Sequence, residues 1–287
     1  MLQAFTVLLA ATLVGGPNLH QEGVALYKQH KYQEAIATLE KASQGEAPAS
    51  PDFKESALLI GQSYFMLSQS AKAIPWLEKV TNTNEANYML GYAYVLANRY
   101  DDSEAAFARL FGMKADSAAG HLVAAEMLVK KEFEKYAVTE ARKAVAMDPK
   151  LPGAHFLLGE IAIYSGQPQE GLAEMSAEIG INPTFSMAWY RRGDAYTRQE
   201  NWAAAIPDLQ RAIWLNPNFS GPYILLGKCY FKLADYSNAE GMLRHALVLD
   251  PRNTSANYLL AQTLSSEGKK EEAKQLLDKV RATNEAH

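Results

Sequence analysis

The sequence predicts an all-α fold of stacked helical hairpins, because three series of residues share one interval along the chain. Prolines recur at a constant step, at Pro149, Pro183, Pro217 and Pro251. Glycines keep the same step, at Gly159, Gly193 and Gly227. Small residues form the third series, at Ala137, Gly171, Ala205, Ala239 and Ala273. A fixed period of this length is typical of repeat proteins, in which each repeat is one supersecondary unit.

Each repeat has the pattern of two amphipathic helices. In residues 187–199 and 202–215, apolar and aromatic side chains recur at spacings that place them on one helical face. Asn201 is predicted to cap the second helix, and Asn216 to follow its end, since a residue before proline disfavours helical backbone. Such a hairpin cannot bury its apolar face alone, so neighbouring hairpins must stack and share one core.

The repeats resemble the tetratricopeptide-repeat family. The signature of that family is an aromatic residue, then Leu-Gly, Tyr, Ala, Phe or Leu, and Pro over about 34 residues. The seventh repeat matches it at Tyr223, Leu226, Gly227, Tyr230, Ala239, Leu243, Ala246 and Pro251. The sixth repeat also matches, with Arg192 in place of the usual leucine. The resemblance implies a right-handed α-solenoid superhelix of about eight stacked helix-turn-helix hairpins.

The register divides the chain into eight units, of which the first three are irregular in spacing. They are predicted at residues 17–47, 54–83, 84–117, 118–151, 152–185, 186–219, 220–253 and 254–283, followed by a tail at 284–287. An Ala/Pro/Ser-rich loop at residues 43–52 separates the first two units. The charged second helix of the last unit predicts an end cap, because a terminal repeat needs a polar outer face.

Residues 1–16 differ from the repeats. Leu2 to Val14 carry no charge, but this run is too short to span a bilayer as a helix, which takes about 20 residues. It has the size of a signal-peptide core, although no Lys or Arg precedes it. A signal peptide would place the protein in the periplasm or outside the cell. The alternative is an apolar helix packed on the first repeat of a cytoplasmic protein.

Composition and motifs argue against several function classes. A net charge of −4 gives no basic footprint for nucleic acid, and the chain shows no segment for stable membrane insertion. Cys229 is the only cysteine, which excludes an intramolecular disulfide and a multi-cysteine zinc site. The sequence has neither a glycine-rich phosphate loop nor a nucleophile elbow. We therefore expect no enzymatic activity and no cofactor.

Two histidines invite a metal interpretation. His121 and His155 are one repeat interval apart, and each is followed five residues later by a carboxylate, Glu126 or Glu160. A metal site would require these side chains to converge. Both histidines instead occupy a helix-packing position that aromatic residues take in later repeats, so the sequence predicts no metal site.

The family resemblance implies that the first helix of each pair lines a concave groove. Three positions would face this groove: three residues before the signature glycine, one after it and five after it. The candidate partner-binding residues at these positions are Tyr88, Tyr92, Glu126, Lys130, Phe156, Glu160, Tyr164, Tyr190, Asp194, Arg198, Lys228, Lys232 and Tyr258. The aromatic members also fit simple core packing, and the sequence leaves both interpretations open.

Three of these candidates are carboxylates at one position of consecutive repeats, Glu126, Glu160 and Asp194. Like charges along one groove repel, which favours a basic or amide-rich partner. Lys130 and Arg198 could equally neutralise them as a solvated strip. The leading hypothesis is a protein–protein interaction scaffold that binds an extended peptide or partner protein in the groove. The alternative is a structural component that self-associates into a homo-oligomer through its repeats.

Overall fold

The computed structural model describes residues 18–129 and 133–285, which form sixteen α-helices in eight consecutive pairs. The first four pairs are α1 (Leu19–Lys28) with α2 (Tyr32–Ser43), α3 (Pro51–Met66) with α4 (Ser70–Leu77), α5 (Asn84–Leu96) with α6 (Tyr100–Leu110), and α7 (Ala118–Val129) with α8 (Glu134–Met147). The last four are α9 (Ala154–Tyr164) with α10 (Pro168–Ile181), α11 (Ser186–Arg198) with α12 (Trp202–Leu215), α13 (Ser220–Lys232) with α14 (Tyr236–Leu249), and α15 (Thr254–Ser266) with α16 (Lys270–Glu285). The described residues contain no strand, and the predicted all-α fold of helical hairpins is confirmed.

The chain divides into two compact units, one up to residue 124 and one from residue 125 onward. Consecutive helices from α1 to α6 and from α8 to α16 pack side by side, which is the arrangement of an α-solenoid. The largest fully buried side chains of the first unit include Leu39, Ile60, Leu77, Leu90 and Phe107. Those of the second unit include Met175, Leu209, Leu243 and Leu264.

In the seven pairs whose connecting turn is fully described, a tight turn with one left-handed residue joins the two helices. In the sixth pair this residue is Glu200, with φ +56°, and the amide of Asn201 donates to the carbonyl oxygen of Tyr196 at 2.9 Å. This Schellman-type bond satisfies a carbonyl at the end of the first helix. Oδ1 of Asn201 accepts from the amide of Ala204 at 3.3 Å, which confirms the predicted cap of α12. The equivalent left-handed residues are His30, Ser68, Asn98, Gly166, Ala234 and Gly268.

The paired helices approach each other most closely at the signature glycine. A Cβ atom on Gly193 would lie 2.8 Å from Cδ2 of Leu209, and one on Gly91 would run into the ring of Phe107. Since real Cβ atoms essentially never come this close to other heavy atoms, a side chain at either position would force Leu209 or Phe107 to shift.

Arg192 stands in place of the signature leucine, and a carboxylate on the opposite helix compensates for it. Its guanidinium donates two hydrogen bonds to Asp208 of α12, both at 2.7 Å, and a third to Oγ of Ser176 at 3.0 Å. The ring centre of Trp189 lies 5.1 Å from the guanidinium carbon. The hydrogen bond to Asp208 raises the pKa of Arg192 above its ordinary value, against the effect of burial. The bidentate geometry makes this one of the stronger classes of side-chain hydrogen bond.

The first unit departs from the predicted boundaries at α3 and α4. α3 begins at Pro51. This start lies inside the loop predicted at residues 43–52 and before the second repeat, which is predicted to begin at residue 54. The side chain of Ser50 accepts from the amide of Phe53 at 3.1 Å, and proline suits the first helical position because its missing N–H is not needed there. α4 has only eight residues and continues as the 3₁₀ helix Glu78–Val80.

Three predictions fall outside the described part of the chain. They are the signal peptide or apolar helix at residues 1–16, the groove position of Lys130, and the end of the tail at residues 286–287. Among the helices that are described, none combines the length and the apolar character that a membrane span requires.

Candidate functional site

All candidate groove residues except Lys130, which is not described, lie on the first helices of their pairs. We call the surface that these helices form within each unit its first-helix face. Tyr88 and Tyr92 lie on α5, in the first unit. The candidates from Glu126 to Tyr258 lie on α7, α9, α11, α13 and α15, in the second unit.

Tyr92 is a correction to the predicted site. Its side chain is only 4% exposed, and its ring packs edge-on against Phe107 at 5.1 Å and against Tyr88 at 5.0 Å between centroids. Gly91 lets α6 come close enough for Phe107 to fill the crossing, and Tyr92 covers the ring of Phe107. Burial first, and Tyr88 second, raise the pKa of Tyr92. Tyr92 therefore belongs to the core and is not available to a partner.

Tyr88 lies in a pocket on the first-helix face of the first unit. The pocket has a volume of about 490 Å³, within the range of about 300–1,000 Å³ that is typical of binding sites. Its apolar and aromatic lining residues are Tyr27, Phe65, Met66, Tyr88, Met89 and Leu110. Met66 and Tyr88 remain 59% and 38% exposed, which places contactable apolar surface at the rim.

Of the candidates named from the sequence only Tyr88 lines this pocket, although the register also places Gln62 and Met66 at groove positions. Phe65 and Met89 are missed because they do not stand at any of the three groove positions of the register, and Leu110 because it lies on a second helix. Tyr27 is missed because it lies near the end of α1, in the irregular first pair. The irregular spacing of the first three repeats in the sequence is the signal that the residues lining their first-helix face would differ from those of the later repeats.

In the second unit, internal cations neutralise two of the three predicted carboxylates. Nε of Arg191 donates to Oε1 of Glu160 at 2.7 Å, which links α11 to α9. Arg198 donates to Oδ2 of Asp194 through Nε at 3.1 Å, and its Nη2 lies 3.0 Å from the same oxygen. Arg191 was not anticipated from the sequence. The expected acidic strip is thus largely compensated within the chain, and Glu126 on α7 is exposed.

Two predicted aromatic residues of the second unit are packing residues. Phe156 lies edge-on to Phe185 at 4.9 Å, and Tyr190 lies edge-on to Phe219 at 4.8 Å between ring centroids. Both side chains are half-buried. Burial first, and then the charge of Asp194, raise the pKa of Tyr190. The core-packing interpretation of the aromatic row therefore holds at these two positions.

The remaining candidates of the second unit are more accessible. Tyr164 is 59% exposed, and the guanidinium carbons of Arg191 and Arg198 lie 5.6 and 5.9 Å from its ring centre. Tyr258 on α15 is also exposed. Lys232 is exposed at the last turn of α13, and Lys228 is half-buried with its Nζ 5.9 Å from the ring centre of Trp202. This face is therefore polar, with isolated aromatic rings.

The two histidines bind carboxylates other than those that follow them in sequence. Nδ1 of His155 lies 2.6 Å from Oε2 of Glu174 on α10, whereas Glu160 binds Arg191. The buried His121 has its Nδ1 3.4 Å from Oε1 of Glu104 on α6. Both histidines thus lie at helix contacts, in the position that the register predicts.

Comparisons with protein families agree with the repeat period. The tetratricopeptide repeat model matches residues 186–219, and a second tetratricopeptide repeat model matches residues 234–286. The model for subunit 3 of the anaphase-promoting complex, or cyclosome, matches residues 28–110. No curated protein sequence gives a significant match.

Solved structures show the same fold at low identity. MamA is 22% identical with a TM-score of 0.54, covering 56% of this chain and 95% of its own. PilF of Pseudomonas aeruginosa is 16% identical with a TM-score of 0.57, covering 70% and 91%. The Cut9–Hcn1 hetero-tetramer of the anaphase-promoting complex gives 15% and 0.51, covering 89% of this chain and 50% of the other. The paired helices, their repeat register and these family matches lead to one conclusion: the chain belongs to the tetratricopeptide-repeat family.

Proposed function

We propose that the protein is an interaction scaffold that binds an extended segment of another protein on its first-helix face. The observation that carries the proposal is the pocket of about 490 Å³ on the first unit, which helices of successive pairs line with apolar side chains. Exposed apolar surface in a concave setting is typical of protein-binding sites. The proposal involves no catalytic step.

Two further observations support this proposal. Exposed tyrosines recur on first helices, at Tyr88, Tyr164 and Tyr258, and tyrosine is enriched in protein interfaces. The Cut9–Hcn1 structure, which has the same fold, is a complex of two kinds of chain. Binding along a row of first helices would let one partner contact several repeats at once.

The test is a comparison of captured proteins between two double variants of the full chain. Met66→Ala with Tyr88→Ala removes exposed apolar surface from the pocket. Met147→Ala with Trp214→Ala removes comparable exposed surface from the second helices α8 and α12. We expect a specific partner to be lost from the first variant and retained by the second. Equal capture by both variants and the unaltered chain would overturn the proposal.

A second candidate function, self-association, is favoured by one specific feature. Trp214 and Val248 are 69% and 75% exposed and lie one repeat interval apart, at the same position of α12 and α14. The guanidinium carbon of Arg211 lies 4.2 Å from the centre of the Trp214 ring. Exposed tryptophan and arginine are frequent anchors of interfaces. Sedimentation equilibrium would show a concentration-dependent mass that Trp214→Ala abolishes, and a constant monomer mass would exclude this candidate.

A further inference from the structure

The pocket of the first unit combines an adaptable apolar wall with one acidic side chain. Met66 and Met89 contribute flexible thioether side chains, which adjust to differently shaped ligands. Glu85, in the first turn of α5, is the one Asp, Glu, Lys or Arg among the described residues that line this pocket. A ligand that fills the pocket therefore contacts apolar surface and meets a single negative charge at its edge.

Glu85 is exposed, and no Lys, Arg or His among the described residues forms an ion pair with it. Some carboxylates of the first unit do have partners: Glu55 lies 3.0 Å from Nε2 of His20, and Glu78 lies 3.3 Å from Nη2 of Arg99. The helix dipole favours an acid in the first turn of α5, which accounts for its stability there. The dipole leaves the outward face of the carboxylate free for a cation.

The charges nearby are predominantly negative. A neighbouring depression on α1 and α3 is lined by Asp52 and Glu55, with Lys28 as its one Lys or Arg among the described lining residues. Together with Glu85, the carboxylates on this face outnumber its lysines and arginines. Complementary charge selects partners and accelerates encounter more than it adds affinity. A partner for this face therefore carries positive charge beside its apolar anchor.

We propose that the pocket holds a partner segment that inserts a bulky apolar side chain between α3 and α5 and places a Lys or Arg against Glu85. The proposal rests on the proposed function and names the chemistry of its partner. The apolar anchor supplies most of the affinity, because interface energy concentrates in a few desolvated side chains. The ion pair between this cation and Glu85 supplies selectivity. It weakens at high salt because both charges stay near solvent.

The test uses a phage-displayed library of random dodecapeptides, selected against the full chain at low salt. Peptides enriched on the unaltered chain should combine Leu, Met or Phe with Lys or Arg. Selection on the Glu85→Lys variant should retain the apolar residue and replace Lys or Arg by Asp or Glu. Selection on Glu34→Lys, which makes the same charge change at an exposed position of α2, should give the same peptides as the unaltered chain.

Affinities of the enriched peptides then separate the two contributions. Tyr88→Ala should weaken all of them at least about tenfold, as loss of an interface anchor does. Glu85→Gln should weaken only the basic ones, by roughly threefold, as loss of an exposed ion pair does. Met147→Ala, which removes an exposed methionine of α8, should leave the affinities of all these peptides unchanged. Unchanged thermal melting of each variant establishes that it remains folded.

Different failures have different meanings. Peptides that depend on Tyr88 but show no basic preference would overturn the partner chemistry and leave the proposed function standing. Absence of any enrichment, or peptides that are indifferent to Tyr88 and Met66, would overturn the assignment of the pocket as a peptide site. If a photocrosslinker at position 88 reacts with a second copy, or with residues 1–16 of its own chain, the occupant of the pocket is this protein itself. That result would overturn the proposal of a foreign partner.

Discussion

The two units use the same helical pair but fill its inner positions differently. Before the signature glycine, the first unit has Leu90 with Ala106 on the facing helix, both fully buried. At the equivalent positions the second unit has Arg192 bound to Asp208. The comparison shows that this crossing holds an apolar pair in one repeat and an ionic pair in another.

The first-helix faces of the two units also differ in how far their charged and aromatic side chains find partners within the chain. In the second unit, Arg191 and Arg198 pair with Glu160 and Asp194, and edge-on ring contacts hold Phe156 and Tyr190 half-buried. In the first unit, apolar side chains line an open pocket and Glu85 has no cation among the described residues. The second unit thus pairs two of its three predicted groove carboxylates internally, whereas the first presents an apolar pocket with an acidic residue at its edge.

The largest expected effect tests the ionic pair of the second unit. Asp208→Ala leaves the Arg192 guanidinium largely buried without its carboxylate, which we expect to lower the free energy of unfolding by about 3 kcal/mol. Arg192→Leu combined with Asp208→Ala reproduces the chemistry of the first unit and should recover most of that loss. Urea denaturation of Asp208→Ala, Arg192→Leu and the double variant measures the coupling. Simple additivity of the two single changes would show that the pair does not act as a unit.

The next effect concerns the close crossing in the first unit. Gly91→Ala places a methyl group against the buried ring of Phe107 and should cost about 1–3 kcal/mol of unfolding free energy. Gly241→Ala is the matched control, because no atom lies within 4 Å of the added carbon on α14. Better helix propensity should make this second variant more stable by about 0.5–1 kcal/mol. Equal effects of the two changes would contradict the assigned crossing.

A smaller effect, dependent on pH, is expected in the second unit. Oε2 of Glu240 accepts from Nζ of Lys269 at 2.6 Å, and Oε1 from Nε of Arg244 at 2.7 Å. The bond from Lys269 and then that from Arg244, acting against burial, lower the pKa of Glu240 from 4.5 to about 2. A depressed folded-state pKa stabilises the fold above pH 4.5, and this contribution disappears as the pH falls towards 2.

Glu240→Gln should therefore lower the free energy of unfolding at pH 7, by about 1 kcal/mol or less because the ion pairs are close to solvent. At pH 2 the variant and the unaltered chain should be equally stable. Glu34→Gln, an exposed acid on α2 of the first unit with no ion pair among the described residues, is the control. A pH profile in which both variants lose the same stability would contradict the role of Glu240.

The smallest effect compares two turns. Ala234, with φ +61°, holds a Cβ in the unfavourable left-handed region, so Ala234→Gly should stabilise the protein by about 0.5 kcal/mol. Asn98, with φ +58°, tolerates this region and accepts a hydrogen bond from the Tyr100 hydroxyl at 2.7 Å. Asn98→Gly should therefore give no gain. Thermal melting of both variants measures the difference. A higher melting temperature for Asn98→Gly would contradict the prediction.

The repeat period predicted the fold and the cap at Asn201 because these depend on local chemistry that recurs from one repeat to the next. It could not predict which first-helix residues stay accessible, because that depends on what the neighbouring helix supplies. Phe107 buries Tyr92, and Arg191, on the first helix of the following pair, neutralises Glu160. Repeat register gives a residue its position on a helix but does not identify its partner across the interface.

The spacing of the left-handed turn residues along the sequence shows which changes in chain length the fold accommodates. From Gly166 through Glu200 and Ala234 to Gly268 they keep the regular repeat interval, whereas the step from His30 to Ser68 is longer and the step from Ser68 to Asn98 is shorter. Each irregular step differs from the regular one by about four residues, which is close to one helical turn. The two steps together make two periods, so an extra turn in one pair is cancelled in the next. Insertions and deletions of whole turns, balanced between neighbours, are the length changes that this architecture absorbs while later pairs keep their phase.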